Sequence, residues 1–452
     1  MRNKILILLI TLPGLLQAEI LNTDFLLQDN NLVKSCYQEK CIGIDEAISL
    51  SKANSIESKK DALRVYQAQQ NIRSKIGGLL PSFNLRYASD PMELALEFIP
   101  NLLGFLFPSN WYKMKESILF ARAEETNHRV LLANQINGTE ILYYAIHKEL
   151  HVRQLLSKHI QFSKEFLNIL SIREEEGELP LETLESAKAY LAELNINEIT
   201  YKRVIKDLVY DLGFALNLKE DWRNVGIKPL NLPTLDAVEP LNYEDYFPEI
   251  KEKSLEMVSL EYLRVAAIYS RKARAWTFLD PESGTESGLG FGYFFNLNID
   301  KASINIVTLK KEDFENRLRE SLYKLINDHN SNLEIYDETM RGLGSLRIVL
   351  DGMLEDFNIS GELDMAELEG IINRILFFQL EKSFTQHAYL ITQSNLKRLR
   401  MKGANYQDLR GRYPEKNDGK KLKLFQRMEN RMIKRLIKKG KITLPATEIF
   451  DK

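Results

Sequence analysis

His147 and His151 stand four apart in the run His-Lys-Glu-Leu-His. On a helix this spacing puts both imidazoles on one face, where they could chelate a metal ion together. The His-Glu-x-x-His order of a zinc-protease helix is absent, and surface or interhelical hydrogen bonding accounts for the pair better. Cys36 and Cys41 are the only cysteines. No other Cys or His lies near them, so a metal site is set aside and a local disulfide, as in an exported protein, is expected. No Ser/His/Asp or Cys/His arrangement, phosphate-binding loop or metal cluster stands out, so no enzyme and no cofactor are expected. A formal net charge of −2 at pH 7 carries no global nucleic-acid signature.

The acidic residues that attract notice follow two glycines. Gly177 begins Gly-Glu-Leu-Pro-Leu-Glu-Thr-Leu-Glu, and Gly361 begins Gly-Glu-Leu-Asp-Met-Ala-Glu-Leu-Glu. Each glycine can take the left-handed turn that ends a helix, and acids just beyond it suit a helix start. A second echo, Leu63-Arg-Val and Leu263-Arg-Val, lies 200 positions apart (263 − 63), with Leu79 and Pro81 matched by Leu279 and Pro281. Two echoes in the same order indicate a duplicated unit.

Each unit reads as a helix, near 45–76 and 246–275, then strand material, a long helix and a return helix. The long runs 110–172 and 301–358 lack proline and would each extend about 90 Å. The return helices cover about 181–216 and 365–400. Ser, Thr and Asn interrupt their apolar stripes, so these helices must pack laterally. Strand material is expected near 82–88, 93–99, 275–280 and 288–299. In the last of these Leu289, Phe291, Tyr293, Phe295, Leu297 and Ile299 alternate with Gly290, Gly292, Asn296, Asn298 and Asp300, the length and pattern of a membrane β-strand.

The domain reading is a signal peptide at 1–18, with Arg2 and Lys4 before a short apolar core, and an N-terminal segment at 19–42. The first repeat occupies 43–216, a linker 217–245, the second repeat 246–402 and a basic tail 403–452. Between 410 and 441 the tail holds thirteen Lys or Arg against three acids. Leu424, Met428, Met432 and Leu436 follow in steps of four, which predicts an amphipathic basic helix.

The stretch 43–87, with Ile44, Glu46, Ala47, Asn54, Leu79, Leu80, Pro81, Ser82 and Leu85 at the matching places, resembles the opening repeat of TolC-type outer-membrane efflux proteins. The resemblance implies a fold that is mainly α with a small β part. Duplicated helical hairpins would form a trimeric tube, and four strands per chain would enter a 12-stranded outer-membrane barrel. Geometry allows this, because four strands cannot close alone and open edges are not tolerated in lipid. Leu289, Phe291, Tyr293, Phe295 and Leu297 would then face lipid.

The resemblance also makes the turns the periplasmic end of the tube. Gly177, Glu178, Leu179, Leu181 and Leu184, with Gly361, Glu362, Leu363, Met365 and Leu368, would meet a periplasmic adaptor. Asp364, Glu367 and Glu369 would narrow the entrance. The implied function is a passive outer-membrane exit duct of a tripartite efflux or type I secretion system. Its partners would be two further copies, an adaptor, an inner-membrane transporter and outer-membrane lipid, with no nucleic acid. The alternative is a periplasmic coiled-coil structural or adaptor protein of the same family without a competent pore.

Overall fold

The computed structural model describes residues 6–12, 15–21, 40–77, 79, 104–177, 180–218, 225–277, 291–360, 365–400, 430–440 and 442. β1 (Leu6–Leu12) and β2 (Leu15–Leu21) pair antiparallel within the stretch expected to be the signal peptide and its first neighbours. β3 (Lys40–Ile42) opens the first repeat. α1 (Ile44–Asn54), α2 (Ile56–Gly77), α3 (Pro108–Glu175) and α4 (Leu181–Ala215) follow. β4 (Val225–Ile227) lies in the linker. α5 (Tyr243–Lys253), α6 (Leu255–Ala275), α7 (Phe291–Ser360) and α8 (Met365–Leu399) repeat the helical order. Among the described residues a further helix, α9, covers 430–438.

The expected single helices at 45–76 and 246–275 are each two. Ser55 and Ser254 break them, and each serine caps the helix that follows: Ser55 Oγ accepts from Ser58 N–H at 3.2 Å and Ser254 Oγ from Met257 N–H at 3.4 Å. Capping meets donors that a helix start leaves unpaired. The breaks lie 199 positions apart (254 − 55), in Ser-Ile-Glu and Ser-Leu-Glu, so they belong to the duplication. α3 and α7 hold 68 and 70 residues, about 100 Å each by helical rise.

The strand expected at 288–299 is overturned, because α7 begins at Phe291. Tyr293, Asn296, Leu297 and Asp300 are turned inward, a spacing of three, four and seven that belongs to a helix. Tyr293 Oη donates to Ala275 O at 2.8 Å, and Asp300 takes Arg274 Nε at 2.7 Å. Phe295 lies on the other side of the helix, 65% exposed. Tyr293 and Leu297 therefore share one side of the helix and Phe295 lies on another; of Phe291 only the helical backbone is described, and Leu289 lies outside the described residues. Ala275 closes α6 and no strand runs through 275–277. The stretches 82–88, 93–99 and 278–280 also lie outside the described residues. Among the described residues the strands are β1 to β4 only.

The chain divides into two compact units that do not coincide with the repeats. One comprises 1–54, 137–241 and 325–395, the other 55–136, 242–324 and 396–452. In the first, β3 and β4 pair in parallel. Ile42, Val225 and Ile227 are buried with Tyr143, Ile146 and Leu150 of α3, Leu212 of α4 and Leu216 just beyond its end. Tyr143 Oη donates to Lys228 O at 2.8 Å. Asn217, at φ 49°, turns the chain out of α4, and its amide bonds Asn54 O while Asn54 bonds Leu216 O. Cys41 of β3 is disulfide-bonded, and Cys36 is the only other cysteine of the chain. In the second unit Leu119 and Ala123 of α3 pack on Val258, Tyr262, Val265 and Tyr269 of α6, with Leu436 and Ile442.

Candidate functional site: hairpin turn and histidine seam

α3 ends at Glu175, and the turn that follows passes through Gly177, whose φ of +75° is one that side chains rarely adopt. Its N–H bonds Glu174 O at 2.9 Å. Pro180, in extended conformation, then starts α4. Gly177 and Leu181 are exposed, Leu181 by 57%, whereas Leu184 is 5% exposed. Leu368 corrects the expectation further. It is 1% exposed, in a core with Ile371, Ile372 and Ile375 of α8, Phe162 and Ile169 of α3, and Leu346 and Leu350 of α7. Leu184 and Leu368 are therefore buried within the chain itself and present no contact surface. Positions 368, 371, 372 and 375 form a helical stripe that marked Leu368 as core. Glu178, Leu179, Gly361, Glu362, Leu363 and Asp364 lie outside the described residues, and of Met365 only the helical backbone is described.

Glu367 and Glu369, the described acids beyond the second turn, differ in burial. Glu367 is exposed. Glu369 is half-buried, and burial, then the charge of Glu193 on α4, pushes its carboxyl above the usual range. Burial, then Glu369 and Glu193, likewise raises the Tyr190 hydroxyl. Glu193, missed in the sequence, thus faces Glu369. Nothing local in the sequence marks a partner 176 positions away (369 − 193).

The histidines are buried, all six of them. His147 and His151 of α3 meet α8, which makes them an interhelical hydrogen-bonding pair. Leu230 N–H donates to His147 Nε2 at 3.0 Å, so this nitrogen is bare. His147 Nδ1 then carries the proton and donates to His387 Nε2 at 2.9 Å. The His387 proton is left on Nδ1, where Ser383 O accepts it at 2.7 Å. The three bonds agree only if both rings are neutral. His151 Nδ1 pairs with Ser383 Oγ at 2.8 Å. A metal on His147 Nδ1 would leave that ring without a proton at either nitrogen, so the arrangement suits a relay and not a ligand set. Burial first, then neighbouring charge, pushes His147 and His151 down to about 3. Burial pushes His387 down to about 4, against the Ser383 carbonyl bond, which favours the proton.

These rings belong to a longer seam of α3 against α8. His159 Nε2 donates to Gln379 Oε1 at 2.9 Å, Ser394 donates to Glu140, and Asn137 donates to Asn395 at 2.9 Å. Gln379, Ser383 and His387 are spaced by four in the sequence, a polar stripe visible once α8 is drawn as a helix.

No protein-family model and no curated protein matches this chain. Solved structures do. The outer-membrane channel OprN aligns at a TM-score of 0.64 and 11% identity, over 80% of this chain and 90% of its own. The CmeC outer membrane channel of Campylobacter jejuni aligns at 0.61 and 13%, over 79% and 85%. The outer membrane protein VceC of Vibrio cholerae aligns at 0.59 and 12%, over 81% and 95%. The shared feature is the fold, with its duplicated long helical hairpins.

Proposed function

We propose that the chain is one protomer of a trimeric outer-membrane channel, the passive exit duct of a tripartite efflux or secretion system. The observation that carries this reading is the pair of hairpins, each with one helix of 68 or 70 residues and a return helix of 35, about 100 Å and about 50 Å long by helical rise, in a fold shared with outer-membrane channels over about four-fifths of the chain. The surfaces agree with it. α4 leaves Ile196, Ile199 and Phe214 open, and α7 leaves Ile306, Leu309 and Ile348 open. Apolar positions of this number on long helices suit packing against further copies. Phe105, Leu106 and Trp111, 50%, 57% and 38% exposed, stand where α3 begins. Of these, aromatic Phe105 and Trp111 are residues that suit a membrane interface. Exposed Leu181 and Glu367, with the Gly177 turn, remain the adaptor-facing and entrance-lining candidates.

The second reading, a periplasmic structural protein without a competent pore, has a specific observation in its favour. Because α7 starts at Phe291, only thirteen residues, 278 to 290, separate it from Thr277. Two membrane strands need about 9–11 residues each. The first repeat has twenty-six, 78 to 103, between Gly77 and the next described residue apart from Leu79, room for two. Planar-bilayer recording of the detergent-purified protein separates the readings. Discrete single-channel steps support the duct, and a trimer that never conducts supports the spacer.

A further inference from the structure

α9 has the sequence Asn-Arg-Met-Ile-Lys-Arg-Leu-Ile-Lys over 430–438, followed by Lys439, with no acid among them. One face is anchored. Ile433 and Leu436 are buried, Leu436 packs into the core of its unit, and Met432 packs against Leu79, Met114 and Ile118. Gly440, at φ +62°, ends the helix with its N–H on Ile437 O at 2.9 Å. The other face carries Arg431, Lys434, Arg435, Lys438 and Lys439, all exposed. At helical spacing the first four form one stripe with neighbours about 5–6 Å apart. A merely solvated basic tail has no need of a face fixed to the core, whereas this helix holds its charges in a set place.

That place is specific. Leu79 lies two residues beyond the end of α2, and Met114 lies six residues into α3, about 9 Å along the helix. The basic stripe therefore stands beside the two points where the chain leaves for, and returns from, residues 78–103. Exposed Phe105, Leu106 and Trp111 flank the same end of α3. We propose that the stripe is a membrane-surface site for phosphate-bearing anionic lipid headgroups, holding this end of the helices against the bilayer. The proposal rests on the reading that residues 78–103 enter the outer membrane. Basic charges next to a headgroup layer add attraction charge by charge, and salt screens it.

The test uses full-length protein in neutral detergent, mixed with phosphatidylglycerol or phosphatidylcholine, with retained lipids counted by native mass spectrometry. The wild type should retain phosphatidylglycerol in preference, and lose that preference at high salt. The combined Arg431→Gln, Lys434→Gln, Arg435→Gln, Lys438→Gln variant should lose it by tenfold or more, since each charge contributes about fivefold. Lys434→Arg with Lys438→Arg should keep it. All four positions are exposed, and circular dichroism checks that the variant is folded. Equal phosphatidylglycerol retention by wild type and the four-fold variant overturns the proposal. So does loss of binding to isolated cell-wall sacculi with lipid retention unchanged, which would make the stripe a reader of wall polymer. Membrane fractionation of both proteins separates the two layers of argument. Wild type missing from the outer-membrane fraction removes the underlying reading, while wild type present there with charge-independent lipid retention removes only the stripe.

Discussion

Acidification should loosen the α3–α8 seam, and the size of the effect follows from its histidines. His147, His151 and His387 have an ordinary value of 6.5, lowered in the fold to about 3, 3 and 4. The folded values lie below the unfolded one, so between them the unfolded chain binds more protons and stability falls as pH falls. The contribution is complete above pH 6.5 and declines through the folded values. At pH 5 all three rings are still neutral in the fold, while the unfolded rings are charged. The loss is then the distance from 6.5 to 5, about 2 kcal/mol per ring, or about thirtyfold in the opening equilibrium. Three rings together lose about 6 kcal/mol, as large as the whole stability of many domains. Hydrogen-exchange mass spectrometry at pH 8 and pH 5, corrected for intrinsic rates, reads this in peptides covering 143–155 and 379–391. Protection there should collapse at pH 5, while peptides covering 258–269, whose region contains no histidine, should change little. His147→Gln, which removes one titrating ring, should recover about thirtyfold of the pH-dependent loss. Equal protection at both pH values, or an unchanged loss in His147→Gln, would refute the assignment of neutral buried rings.

Leu368→Ala should lower stability by about 2–5 kcal/mol through loss of buried volume, whereas Leu181→Ala should leave melting unchanged and weaken adaptor pull-down. On α7, Gly342→Ala would bring a methyl to 2.8 Å from the Phe378 ring, an overpacking of about 1–3 kcal/mol that outweighs the gain of up to about 1 kcal/mol in helix propensity. Gly344 has open space around it, so Gly344→Ala should raise the melting temperature while Gly342→Ala lowers it. Light scattering in mild detergent should give three copies per particle; a monodisperse monomer counts against the duct. Glu367→Ala should reduce cation preference in single-channel recordings, and an unaltered preference would place this exposed acid away from the conduction path.

The long helices were legible because proline and glycine mark their ends. The expected turns at Gly177 and Gly361 lie between α3 and α4 and between α7 and α8. The reading failed at 291–299 for a physical reason. Tyr293 and Leu297 are four apart, a spacing that shares a face both in a strand's alternation and on a helix, and short windows of aromatics with Asn and Gly satisfy both periods. What decides is tertiary: Arg274 and the Ala275 carbonyl wait for Asp300 and Tyr293. Nearness to a glycine does not place a side chain on the surface, and the apolar stripe through Leu368, Ile371, Ile372 and Ile375 puts Leu368 in the core. The pairing of His147 with His387 joins positions 240 apart, and no local pattern names such a partner.

The polar seam also has a consequence for how chains of this kind can change in length. A step of four along α3 from His147 to His151 answers a step of four back along α8 from His387 to Ser383. The seven residues from Glu140 to His147 likewise answer the seven from Ser394 to His387. A single residue inserted between His147 and Glu140 would rotate everything beyond it by about 100°, stranding one set of buried polar groups against the wrong neighbours. An insertion is tolerated when it comes as whole turns and when α8 receives the same number opposite it. Insertions and deletions in the two helices must therefore be inherited as matched pairs, and a homologue lengthened in α3 alone should have exchanged its seam for apolar residues.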